Sequence, residues 1–202
     1  MAFNINSFKA NGLVYGGARP SLFQVNLTVP VGIGIDNISI QKFSFVARAA
    51  ELPASDVASF DVPYFGRKIK IAGDRTFADW RVTVMNDEDF AVRAMFEAWS
   101  NAINRMVANV RDPQLDNEVA GYKTDVEIVQ YGKDGSLLRS YILAGAFPTV
   151  IDAITLDWNA TNSIEEFAVT FAYDYWIPAI QASDKIAGGL NVYDPGLSQN
   201  LE

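Results

Sequence analysis

The sequence predicts a mainly β chain: an antiparallel β-sandwich or barrel of roughly eight strands, with one flanking α-helix inserted between its halves. Three observations carry that expectation. Apolar residues recur at every second position through most of the chain, one stretch switches to three- and four-residue spacing, and Gly, Pro and Asp punctuate the intervals.

The strands are read in chain order. In "SLFQVNLTV" Phe23, Val25, Leu27 and Val29 share one face and Gln24, Asn26 and Thr28 the other, the pattern of a half-buried strand. "ISIQKFSFVARA" alternates through Ile38 and Ile40, then Phe43, Phe45 and Ala47, a slip of one residue that predicts a strand bent or bulged near Lys42. "KIKIAG" and "DWRVTVM" follow as strands, with a turn expected at Gly73-Asp74 between them. Later come "TDVEIVQY", "SLLRSYILAGAF", "VIDAITLDW" and "IEEFAVTFAYDYW". The first two are joined by "GKDG", a hairpin signal because Asp and Gly tolerate positive φ.

The helix is expected in "DEDFAVRAMFEAWSNAINRMVANV", where Val92, Met95, Phe96, Trp99, Ile103 and Met106 form one stripe. Asn86 or Asp87 can cap its first turn, and the acids there suit the positive end of its dipole. Two stretches read as loops, "AAELPASDVASFDVPYFG" and "RDPQLDNEVAG". The first is long for a compact domain and therefore expected to be functional. After Trp176 the alternation stops, which divides the chain into a domain over 1–176 and a C-terminal extension over 177–202.

Composition narrows the chemistry. With 202 residues, half of them apolar, the chain can bury a sizeable core, and its 20% charged residues do not match a disordered profile. A net charge of −8 opposes nonspecific nucleic-acid binding, which depends on Lys and Arg neutralising phosphates. The absence of Cys excludes disulfides and thiolate sites; the absence of His excludes imidazole bases and His-ligated zinc. Catalysis would fall to carboxylates or lysine. The N-terminus lacks a basic start followed by an apolar run, and no stretch approaches the ~18 apolar residues of a membrane span, so a cytoplasmic protein is expected.

Each candidate site has a plainer reading beside it. Asp87, Glu88 and Asp89 could hold calcium, but the alternating ligands of an EF-hand are missing and helix capping explains them. "GIGID" resembles a dinucleotide turn, yet lacks a third glycine in register and a following helix, which leaves a loop. Asp157, Glu165 and Glu166 could supply a glycosidase pair, but acids near strand ends are usually solvated. Arg67, Lys68, Lys70 and Arg75 could form an anion site, but they alternate with Ile69 and Ile71, as on the wet face of a strand, with Asp74 and Asp79 nearby as carboxylate partners.

The run from Arg67 to Glu88, "RKIKIAGDRTFADWRVTVMNDE", resembles the signature R-K-I-x-x-A-G-D-R-T-F-x-D-W-x-V-T-V-M-N-D-E of the tail tube proteins of contractile-tailed, myovirus-type bacteriophages. "ARPSLFQVNL", "ARAAELPAS" and "FPTVIDAITLDWNATNSIEEFAVTFAYDYW" resemble further parts of the same family, so the likeness spans Ala18 to Trp176. "PVGIGIDN" and the segment after Trp176 depart from it.

The resemblance implies a non-enzymatic structural virion protein without cofactors, assembled in the host cytoplasm. It implies a sandwich-like tail tube subunit, six copies of which close into a ring barrel, with rings stacking inside a contractile sheath. Implied partners are further copies of itself, the tail sheath protein, baseplate tube-initiating proteins, a tape measure protein in the lumen, and genomic DNA that passes without specific binding. Open strand edges suit such assembly, because closure removes unpaired backbone groups. Candidate interface residues are Leu52, Pro53, Val62, Pro63 and Phe65, which offer apolar groups to the next ring, and Arg67, Lys68, Asp74, Arg75 and Asp79, whose mixed charges can set register. A pairing of Asp74 with Arg75 inside their own turn is the plainer alternative. Competing functions are a baseplate or terminator tube homologue, a type VI secretion-like tube protein and, from another class, a β-sandwich glycosidase or carbohydrate-binding module.

Overall fold

A computed structural model describes residues 5, 8, 9, 17–35, 37–113, 115 and 119–179. The tail from residue 180 onward lies outside them. Nine strands and two α-helices are seen among the described residues: β1 (Phe23–Leu27), α1 (Asn37–Val46), β2 (Ala47–Ala50), β3 (Asp56–Tyr64), β4 (Arg67–Thr76), β5 (Trp80–Met85), α2 (Ala91–Ile103), β6 (Thr124–Tyr131), β7 (Leu137–Ile151), β8 (Glu166–Ala172) and β9 (Tyr175–Pro178). Short 3-10 turns cover Val31–Ile33 and Val119–Tyr122.

One sheet of seven strands runs β1-β6-β7-β8-β5-β2, with β9 also on β7. Every pairing is antiparallel. Its two end strands approach one another without sharing a ladder, so the sheet curls but does not close into a barrel. β7 spans both halves: its first part pairs with β6 and β9, its last with β8.

α2 forms for the reason its spacing announces. Val92, Met95, Phe96, Trp99 and Ala102 are buried on one stripe against the sheet. Phe171 on β8 is the hub, with ring centroids 5.6 Å from Trp80, 5.8 Å from Phe96 and 6.2 Å from Trp99. Each such aromatic side chain contributes about 1.5–3 kcal/mol by leaving water. The Trp99 indole N–H donates to the Tyr122 carbonyl at 3.0 Å, so its one polar atom enters the core satisfied.

Several sequence expectations change. "ISIQKFSFV" is helix α1 and not a bent strand: Ser39 and Phe43, four apart, face inward, while Ile38 and Phe45 point out. Phe43 meets Phe96 edge-on at 5.5 Å, and this packing overrides the β preference of Ile and Phe. One flanking helix thus becomes two, and a helix does follow "GIGID", although no parallel βαβ unit accompanies it.

α2 ends at Ile103 and excludes Met106, because the Asn101 side chain accepts the Met106 N–H at 3.2 Å and draws the backbone away from the helical ladder. Its N-cap position is Phe90, with no side-chain cap bond. Asp89 accepts the Ala91 N–H at 3.0 Å, while Asn86 is buried and bonded to Glu165 at 3.0 Å.

"VIDAITLDW" is not a separate strand; β7 ends at Ile151 and β8 begins at Glu166. The "GKDG" turn forms as expected, the Gly132 N–H donating to the Ser136 carbonyl at 2.8 Å with Gly135 at φ 79°.

Candidate functional site

The long loop expected over 49–66 is mostly strand. Among the described residues β3 and β4 pair only with each other, forming a two-stranded ribbon in which no residue is buried. Nine residues of β3 reach about 30 Å from the body. Gly73-Asp74 does not turn the chain. It forms a bulge within β4, because Val57 opposes Arg75 and Ser59 opposes Ala72, leaving Gly73 and Asp74 against Ala58. A Cβ on Gly73 would meet the Ala58 carbonyl at 3.3 Å, so the missing side chain lets the strands approach there.

The turn that reverses the ribbon is Tyr64-Phe65-Gly66-Arg67. Phe65 and Gly66 have φ of 42° and 82°, the paired positive values of a type I′ turn, which matches strand twist. Register then sorts the side chains. Phe60, Val62 and Tyr64 face the same side as Ile71, Ile69 and Arg67, which lie opposite them. Asp61, Lys68 and Lys70 take the other side, with Asp61 3.8 Å from Lys68 and 3.7 Å from Lys70. The ribbon therefore has one apolar and one charged face, and both meet solvent.

The root of the ribbon is anchored by two indoles. Trp80 donates to the Glu51 carbonyl at 2.7 Å, and Trp176 to the Ala54 carbonyl at 3.1 Å.

Every candidate interface residue lies on this ribbon or its two roots. Leu52 and Pro53 are in the incoming connection; Val62, Pro63, Phe65, Arg67, Lys68, Asp74 and Arg75 are on the ribbon; Asp79 is in the outgoing connection. All are exposed except half-buried Pro53, and Phe65 is 92% exposed. No ion pair joins Asp74 to Arg75 among the described residues, and the partner of Lys68 and Lys70 is Asp61, not Asp74 or Asp79. Phe60, Tyr64, Ile69 and Ile71 share the exposed apolar face of the ribbon but are not among the candidate interface residues, since the sequence presents Ile69 and Ile71 only as the apolar side of their strand. The "YFG" turn flanked by alternation was the available signal.

A second feature lies at the far end of β5 from the ribbon. A cleft of about 590 Å³ has an apolar lining that includes Val46, Phe90 and Ile164, and a rim bearing Asp87, Glu88 and Glu165. Ile164 is 67% and Phe90 45% exposed. Lys42 reaches Asp87 at 2.6 Å and Asp89 at 2.5 Å, which ties α1 to the approach of α2. The hydrogen bonds from Lys42 hold both carboxylates below the usual range, and the same bonds raise the lysine. These acids act chiefly as an inter-helix tie.

The remaining candidate acids are engaged structurally. Glu166 pairs with Arg48, Glu165 with the Asn86 amide, and Asp157 accepts the Asn159 N–H at 2.9 Å in a local turn. Among the described residues no cluster of three or more metal-ligating side chains occurs.

The family described as phage tail tube protein matches residues 18–179. The chain is 38% identical over 160 residues to the tail tube protein gp19 of Enterobacteria phage T4, a span of 79% of this chain and 90% of that protein. Among solved structures, its fold is similar to a chain of the anti-feeding prophage baseplate, with TM-score 0.59 and 12% identity over 81% of this chain and 95% of that one. It is also similar to the anti-feeding prophage tube-terminating cap, with TM-score 0.58 and 18% identity over 82% and 92%.

Proposed function

Because this chain belongs to the phage tail tube protein family, a group of structural virion proteins, we propose that six copies close into a ring and that rings stack into the inner tube of a contractile tail. The observation that carries this reading is the β3–β4 ribbon. An isolated hairpin is marginally stable in water, yet this one exposes Phe60, Val62, Tyr64, Ile69 and Ile71 along one face. An exposed apolar face of this kind marks a surface that another chain covers. In the proposed tube, neighbouring copies do so.

The sheet supports ring closure. β1 pairs only with β6, β2 only with β5 and β9 only with β7, so each has a side without a ladder partner among the described residues. Unpaired edges invite further strands, and pairing them between copies makes one continuous barrel from six open sheets.

Charge suits a conduit for duplex DNA. Six copies at −8 carry about −48, and an acidic wall repels phosphates at short range, within about 8 Å at physiological salt. DNA then slides without being gripped. Tubes should accordingly fail to co-sediment with duplex DNA at physiological salt.

In this reading residues 1–176 serve as the tube domain, joined by Ile177 and Pro178, which complete β9 against β7, and the remainder to 202 is an extension. The sheath protein, baseplate initiators and a tape measure protein are the further partners. Electron microscopy of the purified chain tests the assignment: long tubes are expected, single rings would favour a baseplate or terminator role, and monomers at high concentration would overturn it.

A further inference from the structure

Phe65 is an unusual residue for its place. The first central position of a type I′ turn favours Asn, Asp or Gly, and a bulky side chain at positive φ is strained, yet here a phenyl ring at φ 42° stands 92% exposed. Among the described residues, the ring contact that Phe65 makes is an edge-on one with Tyr64 at 4.7 Å. Strain kept at an exposed tip points to a contact made outside the subunit. The charge around it is also inverted relative to the chain. Arg67, Lys68 and Lys70 outnumber Asp61 at the outer end of the ribbon, on a protein of net charge −8.

The cleft beyond Met85 is complementary in both respects. Val46, Phe90 and Ile164 line it with apolar surface, and Asp87, Glu88 and Glu165 line it with acids, of which Lys42 offsets Asp87 and the Asn86 amide bonds one oxygen of Glu165. Its position matters as much as its chemistry. The ribbon leaves the body at the Trp80 end of β5, and the cleft opens at the Met85 end, about 17 Å away along the strand. A tip at one end that fits a socket at the other makes a head-to-tail contact, which builds an open stack unless its rotation closes it into a ring.

We propose that the ribbon tip of one copy docks in this cleft on a copy in the adjacent ring, with Phe65 against Val46, Phe90 and Ile164, and Arg67 and Lys68 against Glu88 and Glu165. The occupant is thus a second copy of this chain, and the proposal rests on the stacked-ring reading above. The apolar ring supplies burial, and the opposed charges fix which neighbour is accepted.

The chain has no native cysteine, so a paired substitution reports on the contact without background. Arg67→Cys with Glu88→Cys, assembled into tubes and then oxidised, should produce covalent species of more than six copies on a denaturing gel. A ladder that stops at six would place the contact within a ring and overturn the proposal. Tubes that form normally but do not cross-link would overturn the docking and leave the tube assignment standing. Failure of the unsubstituted chain to form tubes would remove that assignment and this proposal together. Independently, Glu88→Arg should shorten tubes about tenfold, and Arg67→Glu in the same chain should restore their length. A double variant no better than the single one would count against the pairing.

Discussion

The ring of Phe43 on α1 meets the ring of Phe96 on α2 edge-on, with centroids 5.5 Å apart and both side chains fully buried. Phe45, two residues further on, is 80% exposed. In a strand the two phenylalanines would share a face; in a helix they separate by about 200°. Phe43→Ala should therefore cost about 3–5 kcal/mol in denaturant unfolding, whereas Phe45→Ala should change stability by no more than about 0.5 kcal/mol. Equal losses at the two positions would contradict the helix.

The Lys42 tie makes stability depend on pH at both extremes. Asp87 and Asp89 have folded-state pKa values below the ordinary 3.8, so their contribution is present above that value and is lost as pH falls through the lower, folded ones. Lys42 is raised above 10.5, so its contribution is present below 10.5 and disappears as pH rises through the raised value. Unfolding midpoints of Lys42→Met should lie below those of the parent between these limits and converge with them in strong acid. Added salt should narrow the gap, since both carboxylates are open to solvent, although Lys42 is half-buried. A gap unchanged in strong acid would show that the lysine does not act through these two carboxylates.

Replacing Val57–Arg75 with a short Gly-Ser linker should abolish tubes and leave the unfolding midpoint of the body nearly unchanged, because no residue of the ribbon is buried. Reversal of Asp74 or Arg75 should do the same at single-residue scale, with stability changes within about 0.5 kcal/mol and assembly read by electron microscopy. Normal tubes from these variants would remove the ribbon from the interface.

Trp176→Phe deletes the indole bond to the Ala54 carbonyl but retains most of the packing against Tyr141, whose ring lies 5.6 Å away. The expected loss is about 0.5–1.5 kcal/mol, concentrated at the ribbon root. Hydrogen exchange should quicken at residues 51–56 while β6 and β7 stay protected.

Much of this architecture is legible in single residues. Val25 and Leu27, Trp80, Val82 and Val84, and Phe167, Val169 and Phe171 alternate as written and are buried as written. The stripe from Val92 to Trp99 is a helix for the reason its spacing states. The candidate interface was visible as mixed charge and exposed-looking apolar residues, but its form was not. "PASDVASFDVPYFG" contains two prolines and several turn formers, which argue for a loop; the pairing of Val62 with Ile69 and of Phe60 with Ile71 becomes apparent only once the Phe65-Gly66 turn sets the register.

Local chemistry alone determined the β-rich class and the amphipathic α2, written in neighbouring residues with a period of two or of three to four, and the "GKDG" hairpin, whose Asp and Gly tolerate the turn, while the run from Arg67 to Glu88 carried the resemblance to the tail tube family. Tertiary structure alone decided that "NISIQKFSFV" is a helix, that Gly73 bulges instead of turning, and that the ribbon and the acid-rimmed cleft stand at opposite ends of β5. Those outcomes depend on partners distant in sequence, such as Phe96 for Phe43 and Ala58 for Gly73, and a short stretch of chain carries no record of what will lie against it.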